Sequence, residues 1–111
     1  MTTPTEIRAL IERAAKAVDL TISVKTTDGE IMCYRKGKSG VKVFNPLHSA
    51  EDCETLMVVL GIDVIWEMLS RDTVIAADSD GRLFSEPLPP NATPEQKKLA
   101  MRMAVLRAAA S

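Results

Sequence analysis

The sequence predicts a single α+β domain, residues 1–111, in which a mainly antiparallel sheet is covered by three helices. Three amphipathic stripes with helical spacing predict the helices, and two groups of short segments rich in β-branched residues predict the strands between them. Three helices are too many for one face of a small sheet, so a three-layer α/β/α sandwich is favoured over two layers. A chain of 111 residues, with 46% hydrophobic residues, is long enough for one core and too short for a second.

The first helix is predicted to begin at Pro4. Thr3 is a typical N-cap, proline suits the first helical position, and Glu6 stands where a capping box requires an acidic residue. The apolar stripe of this helix comprises Ile7, Leu10, Ile11, Ala14 and Val18.

Three strands are predicted to follow the first helix. Alternating apolar residues from Leu20 to Val24 predict the first strand. The pair Asp28-Gly29 tolerates positive φ and predicts a hairpin into a return strand over residues 31–35. A polar turn over residues 37–40 then leads to a third strand over residues 41–44.

The second helix is predicted over residues 50–60. Pro46 prevents an earlier start, Ser49 is a suitable N-cap, and Asp52 is a further acceptor for backbone amides of the first turn. Gly61 suits a left-handed C-terminal cap. The buried stripe is predicted to comprise Cys53, Leu56, Met57 and Leu60.

The second half of the chain predicts about three more strands and a last helix. The strands are expected over residues 62–70, 73–77 and 82–85, and the prolines at 87, 89 and 90 are expected to end regular structure. Residues 62–70 could instead continue the second helix, but Gly61 and the β-branched neighbours favour a strand. Thr93, Pro94 and Gln96 repeat the capping pattern of the first helix. The stripe of the last helix is predicted to comprise Leu99, Met103 and Leu106, beside Ala100, Ala104 and Ala108 for close approach to a sheet.

Two segments resemble a known family, the phage ABA sandwich domain, which comprises small proteins of bacteriophages and prophages. Residues 45–62 are similar to the family's tight turn with a small hydroxyl residue followed by a short helix, and residues 92–95, leading into Leu99-Ala100, are similar to its closing helix. The chain differs where the family often has an aromatic residue, at His48 and at Ile75. The resemblance implies a fold and a phage or prophage origin, and no site residue is carried over from it.

The composition predicts neither a metal site nor a cofactor. Cys33 and Cys53 lie on predicted elements of different type, and His48 is the only histidine. A structural zinc site usually requires four cysteine or histidine ligands, which this chain lacks. The two cysteines are therefore interpreted as buried free thiols.

The charges are unevenly distributed along the chain. Residues 25–42 carry five basic and two acidic side chains, a local charge of +3, and residues 49–86 carry nine acidic and two basic ones, a local charge of −7. Residues 87–111 return to +3. This asymmetry can support self-association or attract a charged partner, or it can be a solvated surface without a specific role.

The residues do not predict an enzyme. His48 lies beside Ser49, but Ser49 is better explained as a helix cap, and no glycine-rich elbow surrounds it. The opposing hypothesis is a small hydrolase or nucleotide-processing enzyme that uses Asp78, Asp80 and His48.

The predicted function is a non-catalytic binding module that acts on a host protein, with inhibition of a host defence system as one case. The alternative is a self-associating structural or accessory phage protein. The candidate partner-binding residues are Arg35, Lys36, Lys38, Lys42, His48 and Trp66.

The sequence argues against nucleic acid and against a membrane as partners. An aromatic content of 4% and an acidic pI argue against nucleic acid as the partner. No apolar run approaches the roughly 20 residues that span a bilayer, and the N-terminus lacks the apolar segment of a signal peptide. We therefore expect a cytoplasmic protein without membrane contact, located in the host cytoplasm if it is encoded by a phage.

Overall fold

The computed structural model describes residues 3–25, 31–35, 40–66 and 72–111. Within these ranges, three helices and six strands follow in the order α1 (Pro4–Ala17), β1 (Leu20–Lys25), β2 (Ile31–Arg35), β3 (Lys42–Phe44), α2 (Ala50–Leu60), β4 (Asp63–Trp66), β5 (Thr73–Ala77), β6 (Leu83–Pro87) and α3 (Pro94–Ala110). The predicted α+β class and the order of the elements are confirmed. The predicted Asp28-Gly29 turn, most of the turn at 37–40 and the strand segment 67–70 lie outside the described residues.

The strands form two antiparallel sheets of three strands each. The first sheet has the order β1-β2-β3, and the second has the order β4-β5-β6. The antiparallel pairing of the strands is confirmed. The division into two sheets was not predicted, since the sequence led us to expect one sheet. The helix α2 lies between β3 and β4 in the chain, and each of these two strands is an edge strand of its own sheet.

Helix α1 covers the first sheet. Its N-cap is Thr3, whose hydroxyl oxygen accepts a 3.2 Å hydrogen bond from the backbone N–H of Glu6. Ile11, Ala14 and Ala15 are buried, and the helix packs against β1, β2 and α3. The predicted stripe therefore faces the core, with Ala15 as an addition to it.

Helix α2 has both predicted caps. The hydroxyl oxygen of Ser49 accepts from the N–H of Asp52, and Gly61 ends the helix in the left-handed conformation with φ 65°. Cys53 and Leu56 are buried, and Met57 and Leu60 pack against the core from partly buried positions. The predicted stripe is therefore confirmed.

Helix α3 has the most buried residues of the three helices, and its buried part begins later than predicted. Thr93 and Gln96 form the predicted capping box, but Leu99 is 49% exposed, so its assignment to the buried stripe was wrong. The first turns of α3 extend beyond the elements that cover the rest of the helix. From Met103 onward the helix packs against α1, α2, β5 and β6, and its alanines permit this close approach, as predicted.

A proline is accommodated inside the last strand. We expected regular structure to end before Pro87, but β6 includes it, paired with Thr73 of β5. An edge strand tolerates proline because only one of its sides carries a ladder of hydrogen bonds. The edge position of β6 therefore explains the difference.

Most of the buried side chains belong to one continuous cluster, which does not include the buried Val74 and Leu88. It contains Ile31 and Cys33 of β2, Phe44 of β3 and Ala76 of β5, together with side chains from all three helices. Within the described ranges, no helix is long and apolar enough to cross a membrane.

Candidate functional site

The turn between β3 and α2 is held by several hydrogen bonds. The backbone N–H of Asn45 donates to the Oδ2 of Asp52 at 3.0 Å, and the Asn45 side chain accepts from the N–H of Leu47 at 3.2 Å. From α3, the Nη1 of Arg102 donates to the carbonyl oxygen of Leu47 at 3.1 Å. Since Leu47 is also buried, the turn is fixed to both neighbouring helices.

Two adjacent cavities lie between β3 and the first turns of α2. The first has a volume of about 300 Å³ and the second about 330 Å³. Lys42, Val43, Glu51 and Asp52 line both cavities. We refer to the two cavities and these four residues as the Lys42 cleft.

The first cavity lies between the first sheet and α2. Residues 40–44 line it together with Leu20 of β1, Cys33 and Tyr34 of β2, and Glu51, Asp52 and Thr55 of α2. The registered pairs between β2 and β3 end at Cys33 and Lys42, and beyond them Tyr34 and Val41 also line the cavity. The cleft thus begins where the two strands separate.

The cleft contains charges of both signs. Lys42 and Glu51 are exposed, and Asp52 is half-buried. Within the described residues, the Lys42 ammonium and the Glu51 carboxylate make no ion pair with each other or with another side chain. Both groups are therefore available to a charged partner.

The two thiols near the cleft are poor nucleophiles. Burial raises the pKa of the Cys33 thiol, and the nearby Asp52 carboxylate raises that pKa further. Burial also raises the pKa of Cys53, while the positive charge of Arg102 opposes this effect. Both cysteines are buried and free, as the sequence predicted, and both are protonated at neutral pH.

The residues of the alternative enzyme hypothesis lie at opposite ends of α2. His48 precedes the helix and lines the second cavity. The turn with Asp78 and Asp80 lies at the other end, where Gly61 approaches Ser79. A helix of 11 residues is roughly 16 Å long, so these side chains do not form one constellation. In addition, Ser49 is occupied as a helix cap.

The candidate residues from the sequence are only partly brought together. Lys42 and His48 both line the second cavity, whereas Trp66 lies at the end of β4 on the other sheet. The backbone of Arg35 ends β2 opposite Leu20; the Arg35 side chain and all of Lys36 and Lys38 lie outside the described residues. The sequence did not indicate Glu51 and Tyr34 as residues of this site. Glu51 was explained by its place in the first turn of α2, and Tyr34 by its place in a strand.

A second exposed surface lies on the second sheet and carries apolar side chains beside the exposed Asp63, which pairs with Ala77. The register places Ile65, Ile75 and Ser85 side by side, and Leu83 opposite Ala77 on the same face. We call this surface the outer face, because Val74 and Ala76 on the opposite face are buried and α3 packs on β5 and β6. Ile65 is 47% exposed and Leu83 is 64% exposed on this face. Trp66, which pairs with Val74 at the end of β4, is 41% exposed on the opposite side of the sheet. The sequence indicated Trp66 but not Ile65 and Leu83.

Comparison of the chain with protein-family models, with curated proteins and with solved structures found no match. Among the described residues, no group of three or more His, Cys, Asp or Glu side chains is arranged to hold a metal ion. Function therefore has to be inferred from the two surfaces described above.

Proposed function

We propose that the protein is a non-catalytic binding module that acts by covering a surface of another protein. The observation that supports this proposal is the outer face, where Ile65 pairs with Ile75 and Leu83 lies diagonally across from Ile75, and where much of the surface of Ile65 and Leu83 is in water. Contiguous apolar surface of this kind is typical of protein interaction sites.

The energetics of the outer face suit a protein partner. Burial of apolar area contributes roughly 25 cal/mol per Å². Ile65 and Leu83 are the exposed large apolar side chains of this face, so a partner that covers them removes apolar area from water. Trp66 does not belong to the face, because it pairs with Val74 and its side chain lies on the other side of the sheet.

The resemblance to phage ABA sandwich proteins supports a host protein as the partner. In that setting the module acts stoichiometrically in the host cytoplasm, for example by inhibiting a component of a defence system. Neither a cofactor nor a metal is needed for such an action.

The test is affinity capture from host lysate with variants of the outer face. Ile65→Asp and Leu83→Asp place a charge on the face, and Val58→Asp is the matched control, because Val58 is exposed on α2 away from it. We expect the captured protein to be lost with the first two variants and retained with the control.

Two results would contradict the proposal. One is a wild-type protein that captures nothing, and the other is capture that persists in both face variants. Circular dichroism of each variant establishes that a loss of capture does not reflect a loss of folding.

A further inference from the structure

We propose that the Lys42 cleft binds a small zwitterion, namely a free α-amino acid with an apolar side chain. The carboxylate of the ligand pairs with the ammonium of Lys42, its ammonium pairs with the carboxylates of Glu51 and Asp52, and its side chain enters the first cavity. The cleft lies between the first sheet and α2, whereas the outer face lies on the second sheet. The inference therefore does not depend on the proposed function.

The first cavity has a floor formed by three strands and a wall formed by α2. The register pairs Cys33 of β2 with Lys42 of β3, so both side chains project from the same face of the first sheet. Cys33 also pairs with Ile22 of β1, and Leu20, two residues earlier in that strand, projects from this face as well. The wall on the side of α2 comprises Glu51, Asp52 and Thr55.

The floor of the cavity suits an apolar group. Phe44 projects from the same face as Lys42, two residues away, and is 4% exposed, while Leu20 packs against the core from a partly buried position. Both side chains line the cavity together with the uncharged thiol of Cys33. Small-molecule sites typically combine such apolar walls with a few polar groups that fix the orientation of the ligand.

The volume of the first cavity matches a ligand the size of an amino acid. It is about 300 Å³, at the lower end of the range of roughly 300–1,000 Å³ for small-molecule pockets. An apolar cavity of roughly 150 Å³ is already large enough for benzene. The first cavity therefore has room for an apolar side chain together with an ammonium and a carboxylate.

The charged groups of the cleft are available to such a ligand. Lys42 and Glu51 line both cavities, and among the described residues neither side chain makes an ion pair. Asp52 uses its Oδ2 for the N–H of Asn45, so its Oδ1 remains for another donor. The hydroxyl of Thr55 is occupied, because it donates to the carbonyl oxygen of Glu51 at 2.9 Å.

The presence of both signs in one cleft selects a zwitterion over a singly charged ligand. An anion that pairs with Lys42 is repelled by two carboxylates, and a cation that pairs with these carboxylates is repelled by Lys42. Repulsion of this kind discriminates against the wrong ligand as effectively as attraction favours the right one. A free amino acid carries both charges on neighbouring atoms, so it satisfies both sides of the cleft at once.

The test is a titration of the isotope-labelled protein with L-phenylalanine, followed by NMR. We expect amide shifts in β3 and in the first turn of α2, with a dissociation constant on the order of 1 mM. Phenethylamine lacks the carboxylate of this ligand and hydrocinnamate lacks its ammonium, so each is expected to bind roughly tenfold more weakly. Glycine has both charges but no side chain, and it is also expected to bind more weakly, because it leaves the apolar floor uncovered.

Two charge-neutralising variants assign each end of the ligand. Lys42→Gln is expected to weaken the binding of phenylalanine roughly tenfold without weakening that of phenethylamine, which has no group for Lys42. Glu51→Gln is expected to weaken the binding of phenylalanine without weakening that of hydrocinnamate. The matched controls are Lys97→Gln on α3 and Glu54→Gln on α2, since both side chains are exposed and line neither cavity.

Three results would overturn the inference. The first is the absence of amide shifts at about 20 mM phenylalanine, far above the expected dissociation constant. The second is equal affinity for phenylalanine, phenethylamine and hydrocinnamate, since the charges of the cleft would then not contribute. The third is unchanged binding of phenylalanine in both Lys42→Gln and Glu51→Gln.

Discussion

The carboxylate of Asp52 on α2 accepts a 3.0 Å hydrogen bond from the backbone N–H of Asn45, seven residues earlier in the chain. This bond joins the end of β3 to the first turn of α2, and the same aspartate donates its own N–H to Ser49. The two walls of the Lys42 cleft are therefore connected through one side chain. Its negative charge also lies in the first turn of the helix, where the macrodipole favours it.

Replacement of Asp52 by Ala is expected to lower the free energy of unfolding by about 1–2 kcal/mol, because it leaves the partly buried N–H of Asn45 without its charged acceptor. Urea denaturation measures this loss. Glu51→Ala removes a carboxylate from the same turn without removing a hydrogen bond of its side chain, and we expect a change within about 0.5 kcal/mol. Equal losses in the two variants would mean that charge near the helix end matters and the bond to Asn45 does not.

Leu56 and Leu99 allow a direct test of the core. Leu56 is fully buried at 0% exposure, whereas Leu99 is half exposed. We expect Leu56→Ala to cost about 2–5 kcal/mol, since it leaves a cavity among packed side chains. Leu99→Ala is expected to cost less than about 1 kcal/mol. Thermal or urea unfolding compares the two, and a larger loss for Leu99→Ala would contradict the observed position of α3.

Local signals in the sequence predicted the helix boundaries well. Thr3, Ser49 and Thr93 are N-caps, and Gly61 is a left-handed C-cap. Each of these features depends on the residue itself and on neighbours within one helical turn, so sequence alone is sufficient.

Features that depend on contacts between distant segments were not predictable in this way. Leu99 continues the helical period of Met103, but whether a neighbouring element covers it depends on how far α3 extends past the second sheet. The division of the strands into two sheets likewise depends on which edges pair. For the candidate site, the sequence indicated Lys42 and His48. Glu51 could not be assigned to the site from the sequence, because its place there depends on how α2 packs beside β3.

The two cysteines are expected to be unreactive in the folded protein. Cys33 and Cys53 are buried, and burial raises the pKa of both thiols, so the thiolate fraction at about pH 8 is smaller than for a free cysteine. We expect a disulfide reagent to modify neither thiol under native conditions and both in urea.

Single-cysteine variants identify which thiol reacts. Cys33→Ala leaves Cys53 as the only thiol, and Cys53→Ala leaves Cys33, which lines the first cavity. Rapid native modification of Cys33 would show that the cavity admits the reagent and that the thiol is more ionised than its environment implies.

Asp78 is expected to make stability depend on pH in the acidic range. Its Oδ1 accepts from the N–H groups of Asp80 at 3.0 Å and Arg82 at 2.9 Å, and its Oδ2 accepts from the Nε of Arg82 at 2.8 Å. Burial of the side chain acts to raise the pKa, but these hydrogen bonds and the positive charge of Arg82 outweigh it and hold the pKa of Asp78 below the usual 3.8.

The sign of the effect follows from which state binds more protons. Between the lowered folded pKa and the value of 3.8 in the unfolded chain, the unfolded state holds the proton more often, so stability increases with pH in this window. The contribution of Asp78 is complete above the unfolded pKa and is lost as the pH falls through the folded pKa. Asp78→Asn is therefore expected to be less stable than wild type at neutral pH, and the difference is expected to shrink below about pH 4.

Urea denaturation of wild type, Asp78→Asn and Asp80→Asn over a pH series measures this dependence. Asp80 is the control, because its carboxylate is exposed and only approaches the Nη2 of Arg82 at 3.8 Å. Its substitution is expected to leave both the stability and its pH dependence close to wild type, since an exposed ion pair contributes little. A gap between wild type and Asp78→Asn that stays constant from neutral to acidic pH would show that the ionised carboxylate of Asp78 is not what closes the β5–β6 turn.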